Sequence, residues 1–354
     1  MLEPAPGLQV TGSQASGVFA VFVDGLFRLD FAETDHWQIA EWNDLATDAL
    51  VNLASDASIT RVLFDPFYTA YGGNWYAVND ASGGTVTVVD QSPARAIIDT
   101  TIDYAPAGEG FEVHAVYTVY ATGRIGISST LTNTASVDRV LTGLEANYTT
   151  LSNTVPWQRT DLASGHATGF ARTDGNQPFP NLLIVHHGPE TVEHDSAVNA
   201  YWPPGGATMT PGQTIIRFGE LTVAPGGLAD GELATRADDA LGPGLEVVQG
   251  GSAVGDGYDE SIAAYVVDAS GGDLDVRLTA DRIRHRPAFE IRNYSASTWS
   301  IRLDGTLLAA SDQPSGPSAH TFHETNAGTL VLVYLNDIPT AAGDAARTFE
   351  IRAQ

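Results

Sequence analysis

The sequence predicts an all-β protein, too long for one simple sandwich and closing with a smaller sandwich of its own. Three observations carry that reading. Apolar and polar residues alternate in short runs along most of the chain, the period-2 pattern of strands with one buried face. The segments between those runs are rich in Gly, Asp, Pro and Ser, and 36 Gly and 18 Pro punctuate the 354 residues. One stretch alone, Asp44 to Leu53, has a helical look.

Taken in order, Val18 to Leu29 reads as two short strands joined at Asp24-Gly25, a strong hairpin signal. Four alternating runs then form a meander: Gly84–Val89, Ala96–Tyr104, Phe111–Tyr120 and Ile125–Asn133. Between Ala224 and Gly250 the composition shifts. Pro225-Gly226-Gly227, Pro243-Gly244 and Gly250-Gly251 break up an acidic stretch that reads as a linker. Beyond it lie shorter alternating runs, Ile262–Val267, Leu274–Thr279, Ala288–Ile291, Trp299–Leu303, Leu330–Tyr334 and Thr348–Ile351, the pattern of a separate small β-sandwich. The expected division is residues 1–235 and 236–354. No internal repeat of constant period is visible.

Composition narrows the chemistry. The chain has no lysine and no cysteine; all 17 basic residues are arginine, set against 43 Asp and Glu, for a net charge of −26. Schiff-base chemistry, lysine general bases, thiol nucleophiles and thiolate zinc sites are therefore excluded. An acidic chain without a basic stripe is a poor partner for nucleic acid or for an anionic membrane surface. No run of 18 apolar residues offers a spanning helix, and the first seven residues show neither a charged n-region nor an apolar h-region. The absence of cysteine agrees with an extracellular, secreted or cell-surface protein, though many cytosolic proteins lack it too. The acidity itself has a bland source, solubility in salt or a biased genome, and a functional one, cation binding.

Tyr117-Thr118-Val119-Tyr120-Ala121-Thr122-Gly123-Arg124-Ile125-Gly126-Ile127, followed by Leu141-Thr142-Gly143-Leu144-Glu145-Ala146-Asn147-Tyr148, resembles a hairpin-and-strand pattern of the galactose mutarotase-like β super-sandwich family. The resemblance covers about 40 residues by wording and about 220 by pattern, and it implies a large antiparallel super-sandwich ahead of the smaller β-sandwich. Super-sandwiches of this kind occur in sugar epimerases, in polysaccharide lyases and as accessory domains of glycoside hydrolases. It therefore implies a carbohydrate partner, a polysaccharide or oligosaccharide, rather than one reaction.

Reactive side chains concentrate between Glu145 and Trp202, a span with four of the nine histidines and two expected long loops, Ser152–Gly169 and Gly188–Thr208. The strand Leu182–His187 ends in His186 and His187, which alternation sends to opposite faces, so only one of them faces a groove. Both, with His166, are candidate proton acceptors; packing at a strand end is the competing reading. Elimination from a uronic-acid polymer needs a cation to neutralise the C5 carboxylate, a base for the α-proton and an acid for the leaving oxygen. Arg159 and Arg172 are candidates for the first role, and Tyr148 and Tyr201 for the last. Hydrolysis instead needs two carboxylates; Glu145, Asp161, Asp174, Glu190 and Glu193 are available. Mutarotation needs a His and a Glu, such as His186 and Glu220. Trp157, Tyr201 and Trp202, with Trp75 and Tyr76 on an opposing wall, suit the apolar faces of sugars, with Arg172 and Asp174 as polar neighbours; anchoring of loops is the other role such aromatics fill.

Two further clusters stand out. Asp256, Asp259 and Glu260 could hold a structural calcium ion, but their spacing is not that of an EF-hand, and an acidic turn explains them equally. No other metal or cofactor is expected. Arg282, Arg284, His285 and Arg286 form a basic knot that either pairs with acidic neighbours or docks against the first domain. Nucleophile-elbow, dinucleotide-binding, phosphate-loop and zinc-protease motifs are all missing. The expected function is a polysaccharide lyase acting on an acidic glycan through His, Tyr and Arg. The alternatives are a glycoside hydrolase and a non-catalytic binding or surface-assembly protein.

Overall fold

The computed structural model describes residues 7–45, 48–52, 65–76, 81–104, 110–150, 157–172, 181–188, 191–192, 199–201, 206–224, 230–242, 244–279, 281–312, 318–324, 328–339 and 346–354. These residues form an all-β protein of mainly antiparallel sheets with one long helix. The chain opens with a five-stranded meander, β1 (Leu8–Ser13), β2 (Val18–Val23), β3 (Phe27–Ala32), β4 (Gln38–Asp44) and β5 (Asp48–Asn52). The β2–β3 turn falls at Asp24-Gly25, with Gly25 at φ +64°, a left-handed conformation that a glycine adopts at no steric cost. β5 occupies the stretch that looked helical, because pairing of Asn43 with Asn52 extends the sheet there.

Next come β6 (Asp65–Tyr71) and β7 (Asn74–Tyr76), then the predicted meander: β8 (Gly83–Gln91), β9 (Arg95–Tyr104), β10 (Phe111–Tyr120) and β11 (Arg124–Asn133). After β12 (Arg139–Thr150) follow β13 (Trp157–Leu162), β14 (Ala167–Arg172), β15 (Asn181–His187), β16 (Asn199–Tyr201), β17 (Ala207–Met209) and β18 (Thr214–Ala224). Eight of these make the central sheet, in the order β13-β14-β15-β18-β11-β10-β9-β8; a smaller sheet holds β16-β12-β6-β7, with β17 against β12. The expected loop from Ser152 to Gly169 is largely a hairpin, in which Trp157 opposes Arg172 and Leu162 opposes Ala167.

Alternation gives the central sheet two faces of different character. On the inner face, Ile98, Tyr117, Ile127, Ile184 and Leu221 share a core with Val21, Leu29, Phe31 and Trp42 of the N-terminal meander. Ile102, Phe111, Val113 and Leu131 on the same face pack under Leu141 and Met209 of the smaller sheet. The outer face carries α1 (Asp230–Leu241), whose Leu233, Ala237 and Ala240 cover Leu183, Val185, Ala167 and Leu162. This helix lies in the stretch read as a linker and runs across the expected boundary at 235/236. Leu233, Ala237 and Ala240 stand one and two turns apart and, with Ala234 and Leu241 beside them, make an apolar stripe in a segment otherwise rich in Asp and Glu.

The remaining strands are β19 (Leu245–Gln249), β20 (Gly251–Asp259), β21 (Ala264–Ala269), β22 (Leu274–Leu278), β23 (Ala288–Arg292), β24 (Trp299–Leu303), β25 (Thr306–Ala310), β26 (Ala319–Glu324), β27 (Thr329–Tyr334) and β28 (Arg347–Ala353). They form two five-stranded sheets, β19-β22-β28-β24-β25 and β20-β21-β23-β27-β26, joined by a core of Tyr265, Val267, Phe289, Leu332, Val276, Ile301, Phe349 and Ile351. One pair in this small sandwich, β21 with β23, is parallel.

Candidate functional site

The end of β15 divides the molecule's chemistry. Leu182 and Ile184 belong to the inner core, Leu183 and Val185 to the outer, so His186 points inward and His187 outward, as alternation requires. Both are buried, with 0% and 8% of their surface exposed.

On the outer face His187 meets three residues that arrive from distant parts of the chain. Glu220 sits on β18, Arg124 opens β11, and Tyr258 lies near the end of β20 in the small sandwich. The Tyr258 hydroxyl donates to Glu220 Oε2 at 2.7 Å, Arg124 Nε lies 3.1 Å from Glu220 Oε1, and His187 Nε2 lies 3.7 Å from Glu220 Oε2. Burial alone would raise the Glu220 pKa, but Arg124 and His187 outweigh it and hold the carboxyl below its ordinary range. Burial and the neighbouring carboxylate push the Tyr258 phenol well above its ordinary value, so it stays protonated as a hydrogen-bond donor. Arg124 also reaches the backbone carbonyl of His285 at 3.2 Å and Asp239 of α1 at 3.5 Å.

Above this quartet opens a cleft of about 420 Å³, lined by His166, His187, Leu241, Asp256, Tyr258 and Glu260 among others. It lies where the central sheet, the C-terminal end of α1 and the small sandwich meet, a setting typical of ligand sites. Glu260 Oε1 is 3.9 Å from His187 Nδ1, and Asp256 Oδ1 accepts the backbone N–H of Tyr258 at 3.1 Å. Asp259 turns away to Ser261 and, at 3.6 Å, to Arg292. The three carboxylates considered for calcium thus have separate partners, and no group of three metal-ligating side chains occurs among the described residues.

The basic knot both pairs with acids and docks. Arg284, 1% exposed, binds Asp239 Oδ1 at 3.1 Å and Asp281 Oδ1 at 2.7 Å. His285 donates its backbone N–H to Asp239 at 2.9 Å and sets Nδ1 3.3 Å from Asp337, while Arg286 reaches the Thr122 carbonyl at 3.4 Å. The segment is not a regular strand; only an isolated bridge joins Arg284 to Ile338, so Arg282, Arg284 and Arg286 need not share a face.

The inner face collects a different set. Gly219 opposes His186 and Ser129 opposes Arg217, so Arg217 and His186 share that face with Leu131, over which the smaller sheet packs. Burial is the main cause that lowers the His186 pKa to about 3, helped by His187, Arg217 and His166. The smaller sheet carries Glu145 and Tyr148 on β12, Tyr201 on β16, opposite Asn147, and Trp75 and Tyr76 on β7. Their strand positions are described and their side chains are not; the same holds for Arg172, while Asp174 and Trp202 lie outside the described residues. Trp157 stacks on Trp42 with ring centroids 6.4 Å apart, and Arg159 lies 3.4 Å from Asp161. Of the sequence candidates, then, His166 and His187 meet in the outer cleft, together with Asp256 and Glu260 from the set considered for calcium. His186, Arg159, Asp161, Trp157 and Asp259, candidates whose side chains are also described, do not line it. Sequence reasoning named Glu220 only as a partner for His186 and did not single out Arg124, Arg217 or Tyr258 for the site.

No family model and no curated protein sequence matches the chain. Among solved structures, a polysaccharide lyase aligns over 99% of this chain and 46% of its own length at 10% identity and a TM-score of 0.37. A heparan sulfate lyase from Pedobacter heparinus aligns over 77% and 40% at 9% identity and a TM-score of 0.39. A putative aldose 1-epimerase from Klebsiella pneumoniae aligns over 60% and 81% at 11% identity and a TM-score of 0.40. The chain thus spans less than half the length of the two lyases. Likenesses this distant carry no argument about activity.

Proposed function

We propose that the protein acts on a carbohydrate, as a polysaccharide lyase that cleaves a uronic-acid-containing glycan on the inner face of the central sheet. The observation that supports this reading is the placement of His186 and Arg217 on that face, which they share with Leu131, where the sheet that carries Tyr148, Tyr201 and Glu145 packs. In this reading Arg217 offsets the sugar carboxylate, which acidifies the C5 proton. His186, kept neutral by burial, accepts that proton; the electron pair forms the C4–C5 double bond and the C4–O bond breaks. Tyr148 or Tyr201 returns a proton to the leaving oxygen. Because His186 is fully buried, the substrate reaches it only if the groups that cover it move aside. The outer cleft suits this reaction less well. No arginine lines it among the described residues, Arg124 beneath it is committed to Glu220 and Asp239, and Asp256 and Glu260 would repel a polyanion. A glycan of this type is met outside the cell, so the proposal includes an extracellular location.

The test is incubation with a panel of uronic-acid polymers, followed by absorbance near 235 nm from the unsaturated product. Activity should appear on at least one polymer and fall at least about a hundredfold in His186→Ala and Arg217→Ala variants that keep their fold. Absence of the signal on every polymer would overturn the assignment. Reducing ends appearing without absorbance would move it to hydrolysis by paired carboxylates.

A further inference from the structure

Across the inner face of the central sheet, the register sets a polar row between two apolar ones. Ile98, Tyr117 and Ile127 stand opposite one another on β9, β10 and β11, and two residues further along each strand so do Ile102, Val113 and Leu131. The row between them runs Thr100, Ala115, Ser129 and, on β18, Arg217. Its deep end is closed by the protein itself. Thr100 Oγ1 donates to the Ala115 carbonyl at 3.1 Å and accepts from Gln38 Nε2 at 3.0 Å, and Gln38 in turn accepts from the Tyr117 hydroxyl. Ser129 is almost as deeply placed, 1% exposed, yet its Oγ makes no hydrogen bond. A buried hydroxyl without a partner destabilises a fold, so packing alone does not account for it.

The neighbours of Ser129 supply the account. Arg217 is its direct partner on β18, and Cα atoms in such pairs lie about 5 Å apart. Arg217 is half-buried, so solvent reaches the row at that end. His186 lies diagonally beyond it on β15, and the Arg217 charge acts against its protonation. Between Ile127 and His186 the residue on β18 is Gly219, so that strand places no side chain there. We propose that Ser129 binds the uronate carboxylate beside Arg217, its hydroxyl donating to one carboxylate oxygen. Ser129 stands one strand further from His186 than Arg217 does, which suits a group that holds the carboxylate and not one that meets the C5 proton. Charge on the carboxylate oxygens grows as His186 takes that proton, so the hydrogen bond strengthens toward the transition state, while Ser129 keeps its own proton throughout. The substrate class narrows to unesterified uronate, because a methyl ester offers both groups a neutral and weaker acceptor. This assignment rests on the lyase reading of the inner face.

Steady-state kinetics of the intact wild type and of Ser129→Ala test this, on the uronic-acid polymer that the wild type cleaves fastest and on its methyl-esterified form. Ser129→Ala should lower kcat on the free acid at least about tenfold, with KM changed far less, because the lost contact is strongest in the transition state. The wild type should cleave the methyl ester at least about tenfold more slowly than the free acid. Thermal melting separates binding from support of the fold. Removing an unpaired buried hydroxyl should leave the melting temperature unchanged or raise it, whereas a serine that only supports the fold would lower it. Three results would overturn the assignment and leave the lyase reading intact: unchanged kcat in Ser129→Ala, a lowered melting temperature alongside the loss, or equal cleavage of the ester. A wild type inactive on every uronic-acid polymer would overturn both.

Discussion

His186 shows how a single buried ring sets the acid stability of the molecule. Burial keeps it neutral in the folded chain down to about pH 3, whereas an unfolded chain takes up the proton near the ordinary value of 6.5. Between those two values the unfolded state binds more protons, so stability falls as pH falls. The contribution is fully present above pH 6.5 and lost progressively toward pH 3, with a size on the order of 5 kcal/mol. His320, also lowered by burial, acts with the same sign. Glu220 adds a lower window: its depressed pKa stabilises the fold above 4.5, and that stabilisation is lost as pH falls through the folded value. Urea unfolding midpoints measured between pH 7.5 and 5 should drop steeply in the wild type and much less in His186→Gln. Parallel slopes in the two proteins would show that the ring is not held neutral. The two histidines were legible in the sequence as a pair split between faces, because a strand has a period of two. The Glu220–Tyr258 bond was not, because it spans 38 residues and depends on how the small sandwich docks.

At the level of elements, legibility followed periodicity. β8 to β11 lie within a residue or two of their predicted limits, since each is a long alternating run bounded by turn residues. The two misreadings have one physical cause, a local pattern overridden by packing. Asp44 to Leu53 lacks strict alternation, yet its end pairs with β4 as β5. The acidic stretch after Pro225 looks like a linker, yet α1 forms there because Leu233, Ala237 and Ala240 find an apolar patch on the outer face of the central sheet. Docking is tight: a methyl group added at Gly169 would come within 2.9 Å of Leu233. Leu233 is 1% exposed, so Leu233→Ala should cost about 2–5 kcal/mol of stability, read from urea unfolding. The same helix supplies Asp239 to Arg124, Arg284 and His285, so the variant should also loosen the floor of the outer cleft and weaken any ligand held there. A loss below about 0.5 kcal/mol would mean that the helix does not rest on that face.

For the whole molecule, the question is whether the small sandwich is an independent domain or part of one cooperative unit. The sequence suggested independence from a change in composition. The structure ties the parts together by two kinds of contact. Ile262, Ala264, Ala288, Val331 and Val333 of the small sandwich share one core with Val23, Ala94, Val119 and Tyr120. Polar contacts join the same boundary: Arg95 bonds both Asp90 and Glu290, and the Tyr120 hydroxyl reaches Glu290 at 3.3 Å. Separation would therefore expose apolar surface and leave buried charges without partners, a costly combination. The parts approach closely at Gly126, where an added methyl group would lie 2.4 Å from the Ile262 carbonyl carbon, a backbone atom that cannot swing aside. Gly126→Ala should force the parts to move relative to each other at a cost of about 1–3 kcal/mol, while leaving each core intact. In scanning calorimetry the wild type should unfold in a single transition, and Gly126→Ala should melt earlier, with the small sandwich separating as a second peak. Two well-resolved transitions in the wild type would instead establish autonomous domains, and the outer cleft would then be only as durable as a contact between them.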